Sequence, residues 1–415
     1  MTKKKLLFLS VSVALMLSLL GGALFGQATQ KNNLYRYLSI FTEVFSLVRN
    51  NYVEEVPPDQ LIDGAFSGVT DAIDEFSYYI PPAQMARYHS YTEGDDSSAG
   101  LIITRRFGYA YVISAIDGSP ADKAGIARGD FIEKVNGQPT QKMAIWQVRS
   151  ALHTDKPVDL TVLRGGLTKR DTFRITPVAF QPKLNAQQLG EVSYIKIPYF
   201  EKGVAEQFRA ALDDVRKGGH RKLIVDLRGN AGGDVEEAIK SADELLSGGV
   251  ITSLDGRRVE QTRWTADRAT NYDGDVEVLI DMSTASGAEV MAAAIHGNNR
   301  GKLVGVPTYG KSIVQKLVAL PSGGGVYMTV AHYTTPEMVA IKDSRGTEAG
   351  GATPINAPVL KPIKEQGIRP DVLVDLTPDA LRDPANPGAR PKEDLILNKA
   401  LALFNEQPAA LKKAA

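Results

Sequence analysis

The chain has no cysteine, which removes disulfides, thiolate metal sites and a cysteine nucleophile together and leaves the redox compartment open. It has no net charge either, 48 lysines and arginines against 48 aspartates and glutamates. No global field therefore points to nucleic acid or to an acidic partner. Histidine is sparse, and the five present, His89, His153, His220, His296 and His332, form no metal-ligand spacing. No metal or cofactor is expected. Neither G-x-x-x-x-G-K-S/T nor G-x-G-x-x-G occurs, so the glycine turns do not read as phosphate cradles.

Long apolar runs are absent except at the amino terminus, where Lys3-Lys4-Lys5 precede an uncharged stretch from Leu6 to Phe25 broken only by serines and glycines. About 20 apolar residues is membrane-spanning length, longer than the roughly 7 to 15 of a cleavable signal core. No A-x-A site closes the run, and Gly26-Gln27-Ala28 is a weak substitute. Residues 1–28 thus read as a signal or anchor segment, an uncleaved anchor in preference to a removed signal, and either keeps the lysines inside and exports the rest to the periplasmic or cell-envelope side.

What is present is organised around Val276 to Gln315. Val276 to Ile280 is short and, Glu277 apart, apolar, a buried strand, and it passes through Ser283-Thr284-Ala285-Ser286-Gly287 into a helical pattern from Ala288 to Ile295. Ser286 therefore sits at a strand-to-helix turn, where its hydroxyl can be exposed beside the unpaired amides of the first helical turn. A second strand, Leu303 to Val306, leads to Lys311-Ser312-Ile313-Val314-Gln315, in which alternation sets Lys311, Ile313 and Gln315 on one face. No histidine lies between Gly310 and Leu320, so the candidate base for Ser286 is Lys311. A free lysine titrates near 10.4 and must be buried among apolar groups to act as a base, with Gln315 able to orient the amine without adding charge. From residue types alone such a serine and lysine are ordinary structure in most chains. Sequence order leaves a Ser-His-Asp triad open, though no histidine carries a motif.

Three phrases, VDLRGNAGGDVEEAI, TASGAEVMAAAI and VGVPTYGKSIVQ, resemble in content and order the signature blocks of the carboxyl-terminal processing, or tail-specific, proteases. The resemblance implies Ser286 as nucleophile, Lys311 as general base, Gln315 as the group that holds the lysine, and the amides of Gly232 and Gly287 as the oxyanion hole. Two departures are visible: Ala288 stands where the family usually has serine, and Ala231 where it has proline before the paired glycines. Glu289 reads as structural, favouring the free amides of the first helical turn. Asp226 and Arg228 read as a structural ion pair or turn cap.

At 415 residues the chain is long enough for two or three domains. Apolar residues at helical spacing from Tyr35 to about Ala72 suggest a helical module over 34–97, closed by a polar link, Glu93 to Ser98. Residues 98–176 resemble a PDZ domain, a β-sandwich-like barrel with helices, through GLII at Gly100 to Ile103, the run VISAIDGSPADKAGIARGDFIEKVNGQ and a helix around Ile145 to Leu152. Gly100 would let the Leu101 and Ile102 amides approach a peptide's terminal carboxylate, with the strand edge pairing to the peptide and Leu101 and Ile103 favouring an apolar tail. Arg128 and Asp130 read as solvated turn residues. The protease core, 177–376, reads as a mixed, partly parallel sheet flanked by helices, so the class is α+β to α/β. Within it Lys342 to Pro362 reads as a surface loop. Residues 377–415 hold a helix, Asp394 to Phe404, and a tail.

The expected activity is that of an exported, membrane-anchored serine endopeptidase acting on the free C-terminal tails of proteins, with a homo-oligomer or an activating partner as further possibilities. Two alternatives belong to other classes. One is a catalytically inactive PDZ adapter on the same fold, against which the retained Ser286, Lys311 and Gln315 argue. The other is a coenzyme A thioester enzyme, against which export and the PDZ resemblance argue.

Overall fold

The computed structural model describes residues 16, 33–92, 98–165, 167–266, 272–338, 358–362, 367–376 and 394–406. The apolar run from Leu6 to Phe25, Met16 apart, lies outside them, as do most of the Glu93 to Ser98 link, 342–357 and the 407–415 tail. Among the described residues no helix is long and apolar enough to cross a membrane.

Two compact units divide the chain, Met1–Val69 and Thr70–Ala415. The first holds α1 (33–51) and most of α2 (Pro58–Asp71). Proline fits the first position of α2, since an amide there has no intrahelical acceptor to lose.

The second unit begins with β1 (Tyr78–Ile80) and α3 (Met85–Thr92). A five-strand path follows, β2 (Leu101–Arg106), β3 (Tyr109–Ala115), β4 (Phe131–Val135), β6 (Val158–Arg164) and β7 (Lys169–Ile175), with the short β5 (Gln138–Pro139) on β4. Helices α4 (Pro120–Lys123) and α5 (Ile145–Leu152) accompany it. Asn136 and Gly137 both take positive φ, 50° and 79°, in the turn after β4, where a side chain that tolerates the left-handed region and a glycine are required. The core here is Ile103, Val112, Ile132, Trp146 and Leu160. Asp130 departs from the expected solvated turn: it is buried and pairs with Arg164 at 2.8 Å. An ion pair removes the cost that an unpaired buried carboxylate would carry.

The next sheet runs β18 (Val372–Leu373), β14 (Gly301–Gly305), β13 (Asp275–Ile280), β10 (Lys222–Asp226), β9 (Val192–Lys196) and β8 (Asn185–Leu189), parallel throughout except for β8 on β9. Helices α6 (Val204–Lys217), α7 (Val235–Asp243) and α8 (Gly287–Gly297) cover one face with Phe208, Ile239 and Met291 on Val225 and Val278. Helix α9 (Leu395–Glu406) covers the other with Ile396, Ala400 and Phe404 on Ile224, Leu279 and Val304. Burial on both faces is why β10 and β13 read as near-continuous apolar runs rather than alternating ones.

The third sheet pairs β1, β16 (Gly325–Met338), β11 (Val250–Asp255) and β12 (Arg263–Thr265), with β15 (Ile313–Ala319) and β17 (Pro358–Pro362) also on β16. The turn from Leu320 to Gly324 joins β15 to β16 as an antiparallel hairpin. The end of the expected Lys342 to Pro362 loop is instead strand, with Pro358 to Pro362 opposite Met338 to Thr334. Backbone pairing to an existing edge overrides its proline-rich composition.

Candidate active site

Strands β10 and β13 are parallel neighbours in the register Asp226↔Leu279, so the turns that follow them leave the same edge of the sheet. That topology, not sequence proximity, brings Gly232 against Ser286. A Cβ on Gly232 would lie 2.6 Å from Ser286 Cβ and 3.1 Å from its Oγ, and Gly232 takes φ 113°. Only a glycine permits both the approach and the backbone angle. The two turns are tied together: the Ala285 amide donates to the Asn230 carbonyl at 2.9 Å, and the Thr284 hydroxyl to the Leu227 carbonyl at 2.9 Å.

Ser286 sits at φ 55°, ψ −121°, a conformation that non-glycine residues rarely adopt and that surrounding contacts must hold. It immediately precedes α8, whose first amide belongs to Gly287 and has no acceptor within the helix. The Gly232 amide, by contrast, donates to the Asn230 side-chain carbonyl at 2.9 Å, while Asn230 Nδ2 donates to the Ile197 carbonyl at 2.9 Å. The two amides expected to form an oxyanion hole thus lie around Ser286, one of them engaged by Asn230.

Glu289, fully buried on α8, joins this turn to the segment carrying Lys311. Its carboxylate accepts from the Ser286 amide at 3.0 Å, the Lys311 amide at 2.9 Å, the Gly310 amide at 2.7 Å, the Thr308 hydroxyl at 2.5 Å and the Ser312 hydroxyl at 3.2 Å. Burial raises the carboxyl's pKa, and the donors pull against that rise by favouring the ionised form.

Lys311 lies just before β15 and not within it, and a bulge falls between Val314 and Gln315. Strict alternation therefore does not carry Lys311 and Gln315 to one place. They meet instead at Phe76, in the turn between α2 and β1: Lys311 Nζ stands 4.5 Å from the ring centroid, and Gln315 Nε2 donates to the Phe76 carbonyl at 2.9 Å. Burial of the ammonium, reinforced by Arg149 and opposed by Glu75 and Asp74, pulls the Lys311 pKa down to about 7. Among the described residues no hydrogen bond joins Lys311 Nζ to Ser286 Oγ.

The expected pair Asp226–Arg228 is present and larger than expected. Asp226 is fully buried, accepts the Tyr194 hydroxyl at 2.6 Å and pairs with Arg228 at 2.5 Å, while Arg228 also pairs with Asp394 at the start of α9 at 2.5 Å. Its work is to fix the end of β10 and the C-terminal helix.

The expected peptide-binding strand, β2, pairs among the described residues with β3 alone, so no described strand lies on its outer edge. Gly100 takes φ 75°, and a Cβ there would meet the Ser119 side chain at 2.1 Å. Its amide donates to Ser98 Oγ at 3.0 Å. Ile103 is buried in the PDZ core and Leu101 packs against it, while Ile102 packs with Tyr111, Ile113 and Tyr309 against Ala231 and Ala285, the residues beside Gly232 and Ser286. Arg149 on α5 donates to the Ile103 carbonyl at 2.9 Å.

Sequence reasoning missed two residues here. Glu289 was legible only as a helix-start carboxylate, although an acid within an otherwise uncharged helix was a signal. Phe76 offered none, since its partners lie more than 200 positions away.

Fold and serine presentation together define a serine-type peptidase that carries a PDZ domain. Residues 191–349 match the sequence profile of peptidase family S41, and residues 111–164 that of a PDZ domain. A carboxy-terminal-processing protease of Bartonella bacilliformis is 30% identical over 357 residues, 82% of this chain and 80% of its own. The carboxy-terminal processing protease CtpA of Bacillus subtilis is 30% identical over 305 residues, 71% of this chain and 64% of its own. Among solved structures, the photosystem II D1 C-terminal processing protease shares the fold, with a TM-score of 0.63 and 23% identity across 82% of this chain and 93% of that one. The chain belongs to the carboxy-terminal processing proteases of peptidase family S41.

Proposed function

We propose that this protein is an exported endopeptidase, held in the membrane by residues 6–25, that captures the free C-terminal tail of a protein substrate at β2 of its PDZ domain and cleaves it with a Ser286–Lys311 dyad. The working division is 1–28 anchor, 34–97 helical module, 98–176 PDZ domain, 177–376 protease core and 377–415 helix and tail. The observation that carries the dyad is the joint at Glu289, whose carboxylate takes the amides of both Ser286 and Lys311, with the Lys311 side chain buried against Phe76 so that its pKa falls to about 7. A lysine so tuned is neutral often enough at physiological pH to serve as a base.

In the reaction, neutral Lys311 removes the Ser286 proton as Oγ attacks the scissile carbonyl, with Gln315 holding the amine. The Gly287 amide, joined by that of Gly232 once it leaves Asn230, stabilises the oxyanion. The Lys311 ammonium gives its proton to the leaving amine, and water, deprotonated by Lys311, then releases the acyl group from Ser286. Tail capture uses the outer edge of β2, the Leu101 and Ile102 amides reaching the terminal carboxylate past Gly100.

The test is cleavage of an unstructured reporter with an apolar tail by the full chain, beside Ser286→Ala and Lys311→Ala. Loss in both variants, and weakening when the tail is amidated, is expected. Cleavage that survives Lys311→Ala removes the proposed base, and tail binding without cleavage by the parent favours the adapter.

A further inference from the structure

Phe76 touches both residues that the dyad needs. The ring face takes the Lys311 ammonium and the carbonyl takes the Gln315 amide. Its own position is fixed from several sides. Asp74 Oδ1 accepts the Phe76 and Ser77 amides at 2.9 and 2.7 Å, closing the turn locally. Ser77 Oγ accepts the Thr329 amide at 3.3 Å, and β1, which follows, pairs with β16 at Tyr78↔Tyr327. The neighbouring Glu75 accepts the Tyr309 hydroxyl at 3.0 Å, two residues before Lys311. The turn is therefore stapled to the strand pair and to the loop that carry the base.

An aromatic face attracts an ammonium and has no comparable hold on a neutral amine. The charged groups around Lys311 are Arg149 from α5, which disfavours the cation, and Glu75 and Asp74 from the Phe76 turn, which favour it. The carboxylate of Glu289 is occupied by the backbone amide of Lys311 and four other donors. Phe76 and its turn thus form the side of the enclosure that retains the charged lysine.

We infer that Phe76 is a positioning residue for the base: it holds Lys311 as a cation off Ser286, and the amine reaches the hydroxyl only after giving its proton to solvent and leaving the ring. This rests on the proposed dyad. Replacing the ring by an aliphatic side chain of similar bulk removes the attraction without opening the site.

The experiment is the pH dependence of covalent labelling of Ser286 by a fluorophosphonate. In that reaction the Oγ–P bond forms, the P–F bond breaks, and the serine proton passes to Lys311. The full chain is compared with Phe76→Leu, Phe76→Tyr and Lys311→Ala, with thermal midpoints recorded for each. Phe76→Leu is expected to move the acid limb down by about half to one pH unit, raising the rate below the limb by roughly three- to tenfold. Phe76→Tyr should keep the parent profile. A Phe76→Leu profile that superimposes on the parent overturns the inference, as does loss of labelling at every pH with an unchanged thermal midpoint. Should Phe76→Leu fail to fold, a series of fluorinated phenylalanines at 76 keeps the shape while weakening the ring face. The limb should then fall stepwise with fluorine content, and a flat series refutes the holding role. Labelling of Lys311→Ala at the parent rate, or no labelling of the parent at any pH, sinks the dyad instead.

Discussion

The amides of Ser286 and Lys311 donate to the same carboxylate oxygen, Glu289 Oε2, at 3.0 and 2.9 Å. Residues 25 positions apart are thus held to a common point by one buried side chain, and the geometry between the proposed nucleophile and base passes through Glu289.

Glu289→Ala is accordingly expected to leave several buried donors without an acceptor. Each such donor costs about 1–3 kcal/mol, partly relieved by relaxation, so a net stability loss of roughly 2–4 kcal/mol is expected by denaturant unfolding. Glu289→Gln preserves the volume but turns an NH₂ toward donors, and should lower kcat by about a hundredfold or more with smaller loss of fold. An unchanged kcat in Glu289→Gln would show that the joint does not govern the chemistry.

Activity should rise with pH through a midpoint near 7, as the Lys311 ammonium loses its proton. Stability should rise too. The unfolded lysine keeps its proton up to the ordinary 10.5, whereas the folded one gives it up near 7, so between those values the unfolded state binds more protons and the folded state gains as pH climbs. Lys311→Met should remove that slope in chemical denaturation measured from pH 7 to 10.

Glu277 produces the opposite slope at lower pH. It is buried on β13 facing α9, neither oxygen has a hydrogen-bond partner among the described residues, and burial pushes its pKa up to about 7. The folded protein keeps this proton from the ordinary 4.5 up to about 7 while the unfolded chain releases it, so stability should fall across that window. Glu277→Leu should abolish the decline and raise the thermal midpoint at pH 8. A lower midpoint at pH 8 would mean that the carboxylate is satisfied in solution.

Gly232→Ala should be far more harmful than an added methyl suggests. The new Cβ would stand 2.6 Å from Ser286 Cβ, at a φ of 113°, so either the Ser286 turn shifts or the glycine turn does. We expect kcat to fall at least a hundredfold, checked by reporter cleavage and by the rate of fluorophosphonate labelling. Retained labelling with lost cleavage would place the damage in the proposed oxyanion hole and not in Ser286 itself.

Local physics settled much of this molecule in advance. The runs at Leu223 to Leu227 and Val276 to Ile280, apolar apart from Asp226 and Glu277, are buried on both faces, and the pattern shows it. Ser286 at a strand-to-helix turn was equally legible. Tertiary structure decided what depends on contacts between distant segments. The parallel register of β10 and β13 set Gly232 against Ser286. A bulge after Val314 interrupted the alternation expected of Lys311 and Gln315, and Phe76 became their common partner. Glu289, locally a helix-start carboxylate, became the joint between two loops. Periodicity reports which face of an element is buried, because that is a property of neighbouring residues. Which buried groups then meet is fixed only when the sheet closes its register, since hydrogen bonds act over about 3 Å and carry no record of sequence distance.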